Sequence, residues 1–325
     1  MSSRYLGRWQ VFTATVPPAQ KQGFRHEALL YAGEHEFVSA ATSFLRDAVN
    51  AGEPTLVAVP GEKIEALRAN VGGDGIVMFA DMKEIGTNPA RIIPAWRQFA
   101  AQHEGRPLRG IGEPVWPGRR EAELVECQRH ESLLNLAFAD ASAFWLVCPY
   151  DVDGLGADVI DEARRTHPFV ITDRAQRQSA AYHGLGAVTA PFDDPLPEPS
   201  DGPATLGFGP RQLGEVRAFV SRHAAEAGLA AERIEDLVLV ANELATNSVL
   251  YGGADGTARI WCDDDALICE VRDAGIIDDP LTGRLEPGTT QQGGRGLWMA
   301  NQLCDLVQVR SSSAGTVVRV HLRRT

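Results

Sequence analysis

The stretch "DLVLVANELATNSVLYGG", residues 236–253, has the residue spacing of an amphipathic helix. Val238 and Ala245 belong to an apolar stripe that recurs at helical intervals. Glu243 and Asn247 are four positions apart, so they share another face, roughly opposite that stripe. A single pair of this kind is typical of a solvated helix face. Its meaning therefore depends on the segments that follow it.

The first of these segments is "EVRDAGIIDDP", residues 270–280. A predicted strand ends at Asp273, and Gly275 follows two residues later. A carboxylate at a strand end can accept a hydrogen bond from an exocyclic amine, and a glycine lets a flat base approach the backbone. The alternative is an ordinary turn, because Asp and Gly are common turn residues.

The second segment is "QQGGRGLWMANQLCD", residues 291–305, in which glycines lead into a predicted helix. Backbone N–H groups at a helix N-terminus attract anions, and the helix dipole adds to the attraction. Arg295 is placed to pair with phosphate oxygens. The alternative is a flexible loop that simply precedes a helix.

In this order, "NELATN", "DAG" and "GGRGLW" resemble the N box and the two glycine boxes of the GHKL (Bergerat-fold) ATPases and kinases. The resemblance covers roughly residues 207–325. It implies that Asn247 coordinates Mg²⁺, that Asp273 reads adenine with Gly275 beside the base, and that the second glycine box closes over the ATP phosphates. The nucleotide-binding residues it implies are Asn247, Asp273, Gly275, Gly293, Gly294, Arg295, Gly296 and Leu297.

Within that superfamily, "ERIEDLVLVANELATNSVLYGG" resembles the anti-sigma-factor serine kinases of the partner-switching type. The resemblance implies phosphoryl transfer from ATP to a serine or threonine of an anti-anti-sigma (STAS-type) partner, with a sigma factor as a further partner. Glu243 stands where those kinases carry a general base, and a carboxylate there can accept the proton of an attacking hydroxyl.

The sequence departs from that family at three places. Ile276 and Ile277 stand where many relatives have a second glycine, Tyr251 stands where a histidine is frequent, and the segment from Asp279 to Gly293 is short. These departures leave open a non-catalytic module that binds partners in an ATP-dependent way. A histidine kinase is a further alternative, for which His223 in "VSRHAAEAG" is the one candidate acceptor before the N box.

The chain divides at a segment rich in proline and acidic residues, "TAPFDDPLPEPSDGPAT". We predict a first domain over 1–188, a linker over 189–206 and a second domain over 207–325. Before the linker, apolar strands at 54–60, 75–81 and 144–151 alternate with helices at 36–52, 88–103 and 121–138, which predicts an α/β fold with a largely parallel sheet. After it, helices at 211–227 and 231–251 precede a hairpin, a helix at 294–304 and strands at 305–311 and 316–323, which predicts an α+β sandwich.

The first domain resembles the MEDS sensory domain over roughly 20–175, through "RHEALLYAGEHEF", "GEPVWPGR", "ECQRHESLLN" and "CPYD". The resemblance implies a sensor of a small-molecule signal of unknown identity, with a RecA-like α/β core that lacks a P-loop. His26, Trp116, Cys127 and His130 are the candidates for its pocket. Cys127 and His130 are three residues apart on one helix face, so they belong either to a metal site or to a buried, hydrogen-bonded pair.

The bulk composition narrows the class of protein. The 325 residues carry a net charge of −12, which argues against broad binding to nucleic acid or anionic membranes. Five cysteines without a C-x-x-C pair predict a reduced, cytoplasmic protein. No apolar run reaches the roughly 20 residues that span a bilayer, and a homodimer is compatible with the sequence. We therefore predict a cytoplasmic regulator in which a sensory domain controls an ATP-dependent serine/threonine kinase domain.

Overall fold

The computed structural model describes residues 23–71, 75–173, 175–184, 186, 194–263, 265–288 and 294–324. These residues form two sheets, one of seven strands in the first part of the chain and one of five strands in the second. Within these ranges, no helix combines the length and the apolar character needed to cross a membrane.

The first sheet has the strand order β3-β2-β4-β5-β1-β6-β7 and is parallel except at the β6–β7 edge. Its strands are Gly23–Tyr31 (β1), Thr55–Val59 (β2), Val77–Asp81 (β3), Leu108–Gly112 (β4), Ala143–Asp151 (β5), Phe169–Thr172 (β6) and Ala175–Gln178 (β7). The helices between them are Gly33–Ala51 (α1), Gly61–Arg68 (α2), Met82–Ile85 (α3), Ile92–Gln102 (α4), Glu121–Ala137 (α5) and Ala157–Thr166 (α6). A 3-10 turn at Pro89–Arg91 precedes α4.

Helices cover both faces of this parallel sheet. Along β2, Leu56 and Ala58 enter one apolar cluster with side chains of α4 and α5. The alternate residues Val57 and Val59 enter another cluster, which includes side chains of α1 and α2. Because strand side chains alternate between faces, a strand buried on both sides has a continuous apolar sequence, as "TLVAV" does.

The second sheet is antiparallel, with the order β11-β12-β10-β9-β8. Its strands are Ala204–Phe208 (β8), Gly256–Cys262 (β9), Ala266–Asp273 (β10), Leu306–Ser312 (β11) and Gly315–Arg323 (β12). The helices Leu213–Glu226 (α7), Ala231–Tyr251 (α8) and Arg295–Leu303 (α9) contribute with the sheet to a single apolar cluster. The stripe of α8 in this cluster includes Leu237, Val240, Ala241, Leu244 and Ala245, spaced as one helix face requires.

Polar side chains from the end of the predicted linker reach this second sheet. Glu198 accepts hydrogen bonds from Arg259 and Arg272, and Arg319 donates to the Pro197 carbonyl. Strand β8 begins at Ala204, so the predicted domain boundary at residue 207 falls within a strand of the second sheet. This part of the linker is therefore packed against the second domain.

The predicted elements occur where the sequence placed them, with ends that shift by a few residues. The hairpin is β9–β10, the helices at 211–227, 231–251 and 294–304 are α7, α8 and α9, and the last two strands are β11 and β12. The mostly parallel first sheet and the antiparallel second sheet confirm the predicted classes of the two halves. The helix predicted over 88–103 is divided into the 3-10 turn and α4.

Helix α5 is buried on more than one side, since nine of its residues are buried, among them five charged or polar ones. Leu133 and Leu134 pack into the core of the first sheet. Glu123 and Glu126, nearer its start, form ion pairs with arginines of the second domain. The helix therefore lies between the two sheets and contacts both.

We predict that Gly315→Ala destabilises the second domain. Gly315 has φ +116°, and a Cβ there would lie 2.2 Å from the Asp273 carbonyl oxygen. An L side chain in such a conformation costs about 1–3 kcal/mol, so thermal unfolding should begin at a lower temperature than in the parent protein.

Gly207→Ala is the matched control, because a Cβ at Gly207 in β8 meets no atom within 4 Å. Equal melting temperatures for the two variants, measured by circular dichroism, would contradict the argument from Gly315.

Candidate functional site

Glu243 and Asn247 lie where α8 meets the first turn of α9. A Cβ on Gly296 would lie 3.0 Å from Asn247 Nδ2 and 3.2 Å from Glu243 Cβ. Both side chains are half-buried and lie close to the start of α9. Glycine at position 296 permits this close approach.

The start of α9 has the backbone form that the glycine sequence predicts. Gly294 is the N-cap residue in the left-handed region, with φ 80°, and Arg295 opens the helix. The Leu297 side chain packs into the core of the second domain. Gly293 lies outside the described residues. The first turn of α9 thus lies beside Glu243 and Asn247 through Gly296.

Asp273 is held in one orientation at the end of β10. Its Oδ2 accepts a hydrogen bond of 2.6 Å from the Ser248 hydroxyl, and its Oδ1 accepts one of 2.8 Å from the Gly275 N–H. A Cβ on Gly252 would lie 2.5 Å from Asp273 Cγ. The carboxylate is therefore fixed by contacts on both sides of the strand end.

The loop after Asp273 is tied to the last two strands. Thr316 Oγ1 donates to the Gly275 carbonyl, and Ile277 N–H donates to Ser311 Oγ, each at 2.8 Å. Ile276 is 59% exposed, whereas Ile277 packs against the core. The sequence carried no signal for Ser311 and Thr316, because only the β11–β12 pairing brings them beside this loop.

The first domain holds the other end of α9. The Arg91 guanidinium donates to the carbonyls of Asn301, Gln302 and Cys304 at 2.7–2.8 Å. Asn88 Nδ2 donates to the Asn301 carbonyl and side-chain oxygens at 3.1 Å. A cation at a helix C-terminus satisfies carbonyls that have no partner within the helix and complements the helix dipole. The helix whose first turn lies beside Asn247 thus ends on the first domain.

The segment between the two glycine boxes also contacts the first domain. Leu281 belongs to the apolar cluster of the first sheet, and Leu285 packs against it. Gly283 accepts a hydrogen bond of 2.8 Å from Asn301 and lies so close to Leu297 that a Cβ would be 2.7 Å from it. The segment is therefore held between α9 and the first domain.

Glu126 of α5 is the anion at the centre of this contact. It accepts hydrogen bonds from Arg284 at 3.2 Å and from Arg310 at 2.8 Å, and its side chain is 1% exposed. Burial lowers the pKa of Arg284 to about 10, and the neighbouring Arg129 and Arg310 add to that effect while Glu126 opposes it. One carboxylate thus accepts hydrogen bonds from two buried arginines, Arg284 of the segment over 281–288 (the lid segment) and Arg310 of β11.

The four candidate sensory residues lie at separate positions around α5. His26 on β1 contacts Glu131, Asn135 and Cys148, and burial lowers its pKa to about 4. Cys127 donates to the Pro114 carbonyl, and burial raises its pKa to about 12.

The other two candidates are His130 and Trp116. His130 is also fully buried, and burial lowers its pKa to about 3. Trp116 is half-buried, with the Arg119 guanidinium 4.1 Å from its ring. Cys127 and His130 are thus both buried, and a sensory pocket formed by all four candidates stays a prediction.

His223 is part of the helix that precedes the N box. Its Nδ1 lies 2.8 Å from the Phe219 carbonyl one turn earlier, and its ring contacts the Phe219 ring at a centroid distance of 4.5 Å, tilted by 56°. The side chain is therefore engaged with its own helix.

Two segments of the chain match known protein families. Residues 25–168 match the MEDS family, the methanogen/methylotroph DcmR sensory domain. Residues 208–322 match the histidine kinase-like ATPase domain. The chain is thus a sensory domain joined to an ATPase domain of the histidine kinase-like class.

A relative among characterised proteins narrows the class of the second domain. The chain is 32% identical over 124 residues to the serine-protein kinase RsbW of Bacillus pumilus (strain SAFR-032), an alignment that covers 33% of this chain and 76% of the relative. The chain therefore belongs to the family of this kinase, with a MEDS domain in addition.

We predict that Glu126→Gln weakens the contact between the two domains. Removing the charge leaves Arg284 and Arg310 buried without their anion, and breaking such a pair costs about 3–5 kcal/mol. Urea unfolding should show the loss, and limited proteolysis should cut the segment at 281–288 faster.

Glu121→Gln on the same helix is the control, because Glu121 is exposed. If both variants unfold at the same urea concentration and are cut at the same rate, Glu126 does not hold the domains together.

Proposed function

We propose that this chain is a signal-controlled serine/threonine protein kinase of the anti-sigma type, in which the MEDS domain regulates ATP use by the second domain. The observation that carries the proposal is the meeting of Glu243, Asn247 and Gly296 beneath the first turn of α9. The serine kinase relative and the matched ATPase family support the same class of activity.

In the proposed complex, ATP lies between Asp273 and the start of α9. Asp273 keeps lone pairs for the exocyclic amine of adenine while Ser248 and Gly275 hold the carboxylate in place. The phosphates would meet the N–H groups of the first turn of α9, where the helix dipole favours negative charge. Arg295 adds a cation to that turn.

Asn247 is the residue that would hold Mg²⁺. Its side-chain amide oxygen is a ligand of the kind that Mg²⁺ accepts, and Gly296 leaves room beside it because any Cβ there would contact the amide. When bound, the ion would neutralise charge on the phosphate oxygens. Half-burial of Asn247 limits the rotamers that its amide can adopt.

Glu243 would act as the general base. Its carboxylate is close to the position 296 backbone, on the same face of α8 as Asn247. The partner's hydroxyl oxygen would form a bond to the γ-phosphorus of ATP, the bond from that phosphorus to the β,γ-bridging oxygen would break, and the hydroxyl proton would pass to Glu243. The products are ADP and a phosphorylated serine or threonine.

The proposed acceptor is an anti-anti-sigma protein of the STAS type, and a sigma factor is the competing partner. Phosphate adds about −1.5 to −2 charge at neutral pH, so phosphorylation of a residue at a binding face changes which partner that face accepts. The chain itself has a net charge of −12, which would repel the phosphorylated product.

Regulation is proposed to pass through the two contacts described above. Arg91 holds the C-terminal end of α9, and Glu126 holds Arg284 of the lid segment. A ligand that moves α4 or α5 would thereby shift both elements beside the nucleotide. These contacts are the physical link from the sensory domain to the ATP site.

A second candidate is a non-catalytic module whose partner binding depends on ATP. The docked segment at 281–285 and the hydrogen bond from Ile277 to Ser311 favour it, because both restrict movement around the nucleotide. Incubating the purified chain and a STAS-type partner with radiolabelled ATP separates the two: label on the partner supports the kinase, and bound ATP without label supports the module. Label retained on His223 would contradict both.

We predict that Glu243→Gln lowers phosphoryl transfer by about 10²–10⁴-fold, because the general base is lost, while Mg·ATP affinity stays near that of the parent. Transfer is measured with radiolabelled ATP, and affinity by calorimetry with a non-hydrolysable analogue.

The matched control is Glu235→Gln, which removes an exposed carboxylate from the same helix. If Glu243→Gln transfers phosphate at the rate of the parent, Glu243 is not the general base. If the variant no longer binds ATP, Glu243 is a nucleotide-binding residue instead.

We predict that Arg91→Ala weakens ATP analogue binding by at least about 5-fold, the lower end of typical coupling between sites. Its guanidinium no longer fixes the end of α9, so the first turn of that helix loses part of its preorganisation.

Arg106→Ala is the control, since Arg106 also donates to a carbonyl but within the first domain, at Gly52. If Arg91→Ala binds the ATP analogue with the affinity of the parent in calorimetry, Arg91 does not couple the first domain to ATP binding.

A further inference from the structure

We propose that His26, Glu131, Cys148 and His167 form a binding site for a divalent transition-metal ion of the Zn²⁺ class in the first domain. The four side chains come from different elements: β1, α5, β5 and the residue after α6. All are 0–1% exposed. The proposal does not depend on the activity proposed for the second domain.

The donor atoms are grouped as a single ion requires. His26 Nε2 lies 3.0 Å from Glu131 Oε2 and 3.3 Å from Cys148 Sγ. Glu131 Oε2 lies 3.3 Å from Cys148 Sγ and 3.3 Å from His167 Nε2. One donor atom from each of the four residues lies within 4.8 Å of all the others. Tetrahedral bonds of about 2.0–2.3 Å to zinc separate neighbouring ligands by about 3.3–3.8 Å, so these atoms need little movement to enclose an ion.

A hydrogen-bond acceptor at Nδ1 fixes the ring orientation of each histidine. His26 Nδ1 lies 3.2 Å from Asn135 Oδ1, and His167 Nδ1 lies 2.8 Å from the Ala163 carbonyl. An acceptor at Nδ1 places the ring proton there and leaves the lone pair of Nε2 for the centre of the group. Such support by a second hydrogen bond is usual for histidines that bind metals.

The group is difficult to explain by hydrogen bonding alone. His26, Cys148 and His167 all converge on Oε2 of one carboxylate, while Glu131 Oε1 and His167 Nε2 make no well-formed hydrogen bond within the described residues. Buried polar atoms without partners are costly. An ion at the centre would give Glu131, both imidazoles and the thiolate a common partner.

The ligand types match the charge and softness of such an ion. Two neutral imidazoles, one carboxylate and one thiolate carry a total charge of −2, which neutralises a divalent ion in a fully buried place. The nitrogen and sulfur donors exclude Mg²⁺ and Ca²⁺ as the preferred ions, since these take oxygen ligands. On binding, Cys148 would form a sulfur–metal bond and release its proton to solvent.

Four protein ligands complete a tetrahedral shell, so the site is of the closed, structural kind. It would join strands β1 and β5 to α5 and to the end of α6. Glu131 is five residues beyond Glu126 on α5, so the ion would hold the same helix that contacts Arg284 and Arg310. The metal would therefore stabilise the helix that links the two domains.

The full chain, purified without chelators, tests the site by elemental analysis for first-row transition metals. The expected result is about one ion per chain in the parent protein. Cys148→Ser and His167→Gln should lose most of it. Cys127→Ser is the matched control, because Cys127 is a buried cysteine of the same domain whose thiol contacts the Pro114 carbonyl instead.

The parent chain produced in cobalt-supplemented medium provides a readout that does not require the variants to fold. Tetrahedral cobalt with one thiolate should show intense visible d–d bands and a near-ultraviolet sulfur-to-cobalt band, both retained in Cys127→Ser. A folded parent protein with metal content far below one ion per chain and no such bands would overturn the proposal. Parent-like metal content in both Cys148→Ser and His167→Gln would overturn it as well.

Discussion

The arrangement of the two domains depends on the carboxylate of Glu126. It is almost fully buried and faces Arg284 and Arg310, whose side chains are also buried. A buried ion pair is not a strong source of stability compared with apolar packing, but its partners cannot be separated without leaving charges in a medium of low dielectric. The pair therefore acts mainly as a constraint on position: α5, the lid segment and β11 must remain together.

Because of that constraint, residues of both domains position the proposed ATP site. The N-terminal turn of α9 lies over Glu243 and Asn247, whereas its C-terminal carbonyls bind Arg91 of the first domain. Asn301 adds a bridge, because it contacts Asn88 on one side and Gly283 of the lid segment on the other. A helix is stiff over nine residues, so a shift at one end is transmitted to the other.

Helix α5 combines two buried polar groups that an amphipathic helix would ordinarily avoid. Glu126 faces the second domain, and Glu131 faces two histidines and a cysteine of the first. The two arginine partners of Glu126 and the proposed metal site at Glu131 explain why these carboxylates are buried. The apolar residues Leu133 and Leu134 pack the same helix against the sheet. The helix is thus suited to connect a sensory domain with an ATPase domain.

Local periodicity was sufficient to predict most of the elements that position the proposed ATP site. The strand "TLVAV", helix α8 and the β9–β10 hairpin all follow from patterns within a few residues, and glycines at 294 and 296 indicated the start of α9. The edges of the domains were less predictable: β8 lies partly in a segment whose composition indicates a linker, because strand pairing with β9 outweighs that composition.

The sequence by itself determined the two fold classes, the order of the motifs and the candidate ATP residues, because each depends on spacing along the chain. Only the tertiary structure decided which distant residues meet. Ser248 reaches Asp273 across 25 positions, Arg284 reaches Glu126 across 158, and His26 joins Glu131, Cys148 and His167. Cys127 and His130 satisfied a local spacing, whereas Glu131 contacts His26 and Cys148, which lie two positions apart in the register of the parallel strands β1 and β5. Such contacts follow from sheet order and helix packing, which no short window of sequence contains.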